Sequence, residues 1–283
     1  MPNVVDAIRE KMAKVISALE AQVQADVIGM FGPIVSGLEH RVRAAIEALP
    51  TRRQRIAVVL QTGGGSIEVA ERIVNILRHY YPSDVIFIVP DVALSAGTVL
   101  AMSGDTIMMD HFACLGPIDP QVEREGKLVP ALSYLEQFNR LVNKSAQGTL
   151  TTAELALLSK LDLAELHYFE QAKKLTEDLL ESWLATYKFK EWNETETRKV
   201  QVTKAMREQR AREIAVALNN HERWRSHGRG INMQTLQHEL KLKIDDFGAI
   251  PALASAVKEY WDFVVNCMMR ENLVSFVTSR EFA

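Results

Sequence analysis

Ile56-Ala57-Val58-Val59-Leu60, then Thr62-Gly63-Gly64-Gly65-Ser66, then Val85-Ile86-Phe87-Ile88-Val89-Pro90, then Ala93-Leu94-Ser95-Ala96-Gly97-Thr98 make up the stretch whose reading decides the fold. Residues 56–60 and 85–89 are unbroken apolar runs, the pattern of strands covered on both faces in a parallel sheet. A helix from about Ser66 to Tyr80 joins them, Ala96 to Met102 reads as a short helix of small residues, and Thr106-Ile107-Met108-Met109 reads as a third strand. Strands alternating with helices at this spacing predict right-handed crossovers and a mostly parallel α/β sheet.

Upstream, Val4, Ile8, Met12, Val15, Ile16 and Leu19 recur with helical period over residues 1–24. This helix precedes the first strand, so it is expected as an addition to the core. Residues 26–34 read as that strand running into a turn, and a helix from about Ser36 is stopped by Pro50. Downstream the pattern turns helical, over roughly 131–147, 152–187 and 192–220. A helix from about Asn232 to Leu240, a short strand Leu242-Lys243-Ile244 and an amphipathic helix from Pro251 to Met269 close the chain. The expected organisation is a helical extension at 1–24, an α/β domain at 25–248 with a helical insertion at about 131–220, and a C-terminal helix and tail at 249–283.

Composition narrows the function. Of 283 residues, 47% are hydrophobic and 24% charged, enough to bury a core, and the formal charge of −3 gives no pull toward nucleic acid or anionic membrane. Cys114 and Cys267 are the two cysteines, and both stand in apolar surroundings as in a reducing compartment. Charges through the first residues leave no signal-peptide core, and no run approaches the ~20 apolar residues of a membrane helix. These features imply a cytoplasmic protein, with attachment to a membrane or partner possible only through the N-terminal helix. His221, His227 and His238 are too dispersed for a helical metal pair, so no metal is expected. Trp224, between Arg223 and Arg225, suits packing against the His227 loop better than stacking on a nucleic acid.

In an open parallel sheet, ligands collect beyond the carboxyl ends of the strands. Two such ends carry small-residue turns here. Gly63-Gly64-Gly65 can expose backbone N–H groups to a developing oxyanion, although a tight turn would use the same residues. No Gly-Lys-Ser/Thr closes the segment, which excludes a Walker phosphate loop. Ser95 could simply cap the helix that follows it. The pairing argues otherwise, because a hydroxyl opposite backbone donors is what nucleophilic acyl transfer requires.

The blocks Thr62–Gly65, Val89–Thr98, Met102–Asp110 and Leu115–Gln121 occur in order, with looser continuation at Ser226–Arg229 and Leu240–Ile244. Together they resemble the serine dehydrogenase proteinase family, relatives of the Clp peptidase and of signal peptide peptidase A. The resemblance implies a Clp/crotonase ββα superhelix and peptide-bond hydrolysis without cofactor. It implies Ser95 as nucleophile, Gly64 with Gly65 beside it as the oxyanion loop, and the Ala96 N–H as a further donor. Gly63 stands where Clp-type loops carry proline.

The resemblance also exposes a gap. The strand on which Clp peptidases carry their histidine reads Leu115-Gly116-Pro117-Ile118-Asp119 here, without one. Two replacements follow from it: His227 as base with Asp119 as orienter, or a lysine base of the signal-peptide-peptidase kind, Lys144 with Lys127 behind it. The implied partners are a peptide or protein substrate and further copies of the chain. A non-catalytic scaffold and a crotonase-type acyl-CoA enzyme are the competing functions, and an exposed serine after the second strand speaks against the latter.

Overall fold

The computed structural model describes residues 4–124, 127–195 and 197–281. Helix α1 (Val4–Val23) leads into β1 (Asp26–Phe31), α2 (Leu38–Glu47), β2 (Arg55–Gln61), α3 (Ile67–Tyr80) and β3 (Asp84–Val89). Then come β4 (Val92–Ala93), α4 (Ala96–Met102), β5 (Thr106–Met109) and β6 (Cys114–Leu115). A hairpin, β7 (Gln121–Arg124) and β8 (Lys127–Pro130), opens a helical segment of α5 (Ala131–Ala146), α6 (Thr152–Leu158), α7 (Leu163–Trp183) and α8 (Lys204–Asn219). The chain ends with α9 (His221–Trp224), β9 (Ile231–Asn232), α10 (Met233–His238), β10 (Asp245–Asp246), α11 (Pro251–Glu271) and β11 (Phe276–Ser279).

The large sheet has the order β10-β5-β3-β2-β1-β11, parallel throughout except for β11. Successive side chains of a strand face opposite ways, and β2 shows why it had to be apolar throughout. Ile56, Val58 and Leu60 are buried with Val42, Ile46, Ile73, Leu77 and Val99 of α2, α3 and α4. Ala57 and Val59 are buried with residues of α1 and α11, among them Ile16, Leu19, Val257 and Val264. The mostly parallel α/β architecture read from residues 56–109 is therefore the architecture of the chain.

Three expectations need correction. Met12, Ile16 and Leu19 of α1 are buried against the sheet, and the tail supplies β11, so both chain ends complete the core instead of decorating it. Within 192–220 the helix begins only at Lys204. The Thr203 hydroxyl accepts the Met206 N–H as a cap, and the upstream chain folds back through a Glu194–Gln201 bridge. The last short strand pairs at Asp245–Asp246 with Met108–Met109, not at 242–244. Leu242 and Ile244 instead bury their side chains in the core.

A second, small sheet has the order β4-β6-β9. It is the feature that assembles the site.

Candidate active site

Beyond Leu60 the β2 chain continues alongside β4. The Thr62 N–H donates to the Val92 carbonyl at 2.9 Å, and the Leu94 N–H donates to the Thr62 carbonyl at 3.0 Å. This clamp sets the glycine loop against the turn that carries Ser95. A Cβ at Gly64 would lie 2.7 Å from Ser95 Cβ, and Gly64 sits at φ +108°, so glycine alone fits.

Ser95 occupies the cap position of α4, yet its hydroxyl makes no capping hydrogen bond. Its backbone is at φ 54°, ψ −123°, a conformation that costs a non-glycine residue about 1–3 kcal/mol. The same sharp strand-to-helix geometry exposes the serine in nucleophile elbows. The turn is held from below by Thr98, whose buried hydroxyl donates to the Ala93 carbonyl at 2.7 Å and accepts the Gly116 N–H at 2.8 Å. Thr98 was legible only as part of the motif; its role as the tie between α4 and the strand beyond β6 needed the fold.

Of the three oxyanion candidates, two have uncommitted donors. The Ala96 N–H opens α4 and makes no hydrogen bond among the described residues. The Gly64 carbonyl and the Ser66 N–H both bond Ile34, at 2.9 and 2.8 Å. Gly65 therefore turns its own N–H away from Ile34, toward the β4 side, by the alternation of a parallel ladder. The Gly64 N–H differs from the expectation. It donates to Thr62 Oγ1 at 3.0 Å, so in this state it is not offered to a substrate.

The acid and the histidine meet. In the small sheet Cys114 pairs with Asn232 and Leu115 with Ile231, antiparallel. The segment after β6 carries Asp119 and the turn before β9 carries His227, and their side chains meet, with His227 Nδ1 2.9 Å from Asp119 Oδ1. The other carboxylate oxygen, Oδ2, accepts from Gln121 Nε2 at 3.0 Å, and Asp119 is 1% exposed. A carboxylate oxygen at this distance calls for a proton on Nδ1, which leaves Nε2 as the ring edge turned away from Asp119. The segment after β6 is fixed by the Ile118 N–H, which donates to the Leu218 carbonyl of α8. Trp224 is buried with its indole N–H on the Ala217 carbonyl, which anchors the His227 loop to the same helix.

Ser95 follows β4 by two residues, Asp119 follows β6 by four and His227 precedes β9 by four, so all three stand just outside the strands of one small sheet. No hydrogen bond joins Ser95 Oγ to His227 among the described residues. The Lys144 Nζ lies 2.6 Å from Glu154 Oε1 on the helical segment. Lys127 falls in β8, and its side chain is outside what the structure describes. Cys114, in the small sheet, is no rival nucleophile, because burial first and the Asp91 charge second push its thiol up. Among the described residues no three His, Cys, Asp or Glu side chains gather in a metal-holding group.

A mostly parallel sheet with a serine in a strained turn and a glycine loop beside it is the setting in which the family membership is read. The chain belongs to the family of ClpP-like SDH-type serine proteinases, whose pattern matches residues 3–194. That span includes Ser95 and Asp119 and stops short of His227.

Two uncharacterized proteins of Methanocaldococcus jannaschii, MJ0137 and MJ1495, are 33% identical over 135 residues and 28% identical over 152 residues. These matches cover 46% and 52% of the chain, and 45% and 49% of the relatives, so the chain spans about half the length of the curated proteins it resembles. Among solved structures it is similar to the 1510-N membrane-bound stomatin-specific protease. A serine-to-alanine mutant of that protein superposes with a TM-score of 0.44 at 13% identity, over 77% of each chain. A lysine-to-alanine mutant in complex with a substrate peptide gives 0.45 at 16%, over 77% of this chain and 73% of that one. No helix among the described residues is long and apolar enough to cross a membrane.

Proposed function

We propose that the chain is a serine peptidase in which Ser95 Oγ attacks a peptide carbonyl, His227 Nε2 takes the hydroxyl proton and Asp119 orients the imidazole. The observation that carries this reading is the Ser95 turn itself: a strained backbone, spent on a serine that caps nothing. In the acylation step the Ser95 Oγ–carbon bond forms, the peptide C–N bond breaks, and the proton held on His227 passes to the leaving amine. Water then attacks the acyl-enzyme by the same route. The Gly65 and Ala96 N–H groups receive the oxyanion, joined by Gly64 once its N–H leaves Thr62.

The Ser95–His227 contact forms when substrate arrives, as catalytic hydrogen bonds commonly tighten in the complex. The absence of that contact in the free chain is also what a non-catalytic scaffold would show. A fluorophosphonate probe separates the two: labelling of the wild type and not of Ser95→Ala is expected of the peptidase, and a chain that never labels is the scaffold. Leu155, Leu157, Leu163 and Tyr168, exposed on α6 and α7, support a homo-oligomer, which light scattering would detect.

A further inference from the structure

An open cavity of about 440 Å³ lies at the ends of β1 and β2, between the glycine loop and the last turns of α11. Phe31, Val92, Val265, Met268, Met269 and Leu273 contribute its apolar lining, and the backbone of Thr62 and Gly63 forms one wall. That wall is continuous with the site, since Gly64 and Gly65 follow directly and Val92 stands three residues before Ser95. The size falls within the range of ordinary ligand pockets.

We infer that this cavity receives a large apolar side chain of the substrate peptide; the inference rests on the serine-peptidase reading above. No charged residue lines it. Its polar side chains, Gln61, Thr62 and Asn272, are neutral, and the Gln61 amide oxygen is already engaged by Trp261 Nε1 at 2.5 Å, so a charged substrate side chain would meet no opposite charge there. Met268 and Met269 are unbranched and adaptable, suited to apolar groups of differing shape, and Met269 is 73% exposed at the rim. Gly63 opens onto the cavity. A Cβ there meets nothing within 4 Å, and its φ lies outside the left-handed range, so the loop leaves this space empty without needing glycine for its backbone.

The test digests an internally quenched peptide library, in which each position in turn carries Leu, Phe, Gly or Asp, with the full chain. At one position Leu and Phe are cut about 10- to 200-fold faster than Gly and Asp. Gly63→Leu, which fills the cavity, collapses that ratio to about 3-fold or less. Met269→Lys, at the exposed rim, shifts it toward Asp. Because the readout is a ratio within each variant, a general loss of activity does not imitate the effect. Indifference of the wild type to the residue, no cleavage by a chain that labels with fluorophosphonate, or a ratio unchanged in both variants overturns the pocket. Failure of the wild type to label overturns the serine reading instead.

Discussion

His227 and Lys144 both lie within hydrogen-bond reach of a carboxylate, at 2.9 Å from Asp119 and 2.6 Å from Glu154. Their surroundings separate them. Asp119 is 1% exposed on the segment after β6, which Ile118 ties to α8, and it holds Nδ1 of a ring whose Nε2 has no hydrogen bond among the described residues. Lys144 and Glu154 are 39% and 19% exposed on the helical segment, where Glu154 also closes a capping box with Thr151. The Lys144 side chain has a single nitrogen, and here it is engaged by the Glu154 carboxylate. A close pair therefore says little until its place is known: one pair joins the segments that flank the β6–β9 pairing, and the other joins α5 to α6.

The strongest way to break this comparison is to delete each cation. His227→Ala lowers kcat/KM for peptide hydrolysis by about 10⁴-fold or more, while Lys144→Ala changes it by less than about 2-fold. The reverse result would return the lysine to the site. Asp119→Asn tests the orienting role, since it leaves the ring free to adopt the wrong tautomer. A loss of about 10³- to 10⁴-fold in kcat is expected, read alongside a thermal melt to separate activity from folding.

A smaller effect is expected from Thr62→Val, which keeps the shape but removes the acceptor of the Gly64 N–H. A hydrogen bond of about 0.5–1.5 kcal/mol no longer has to be broken before that donor reaches the oxyanion. Fluorophosphonate labelling should quicken by about 2- to 10-fold, and a slower rate would mean that Thr62 positions the loop productively.

The smallest effect belongs to the other pair. The Lys144 ammonium first, and the Thr151 N–H and hydroxyl next, hold the Glu154 carboxyl down at about 2. Because its folded value is depressed, this contribution to stability is complete above the ordinary carboxylate range and disappears as pH falls toward about 2. Calorimetry of Glu154→Gln should show a lowered Tm at pH 7, a gap that narrows through pH 4 and closes near pH 2, with peptide hydrolysis at pH 7 unaltered.

The parts legible in advance were those whose signal is local. The apolar runs 56–60 and 85–89, alternating with helices, were read as buried parallel strands and are β2 and β3, and Ala96–Met102 emerges as the helix it was read to be. The small sheet was not legible, because β4, β6 and β9 are two residues each, too short for any period to show. For the same reason Asp119 and His227 could be named only through the family resemblance. The place of α1 was misjudged from chain order, although its apolar stripe already required a partner surface.

The amino-acid sequence alone determined the alternating α/β core and the small-residue turns at Gly64 and Ser95, because strand burial and positive-φ geometry restrict residue type at each position. Only the tertiary structure decided the partnerships. Asp119 and His227 meet because the β6–β9 pairing brings together the segments that flank it, 108 residues apart in the chain, and the Gly64 N–H is held by Thr62 because the loop closes on itself. Distances of this kind are a property of packing, to which no single stretch of residues contributes a readable pattern.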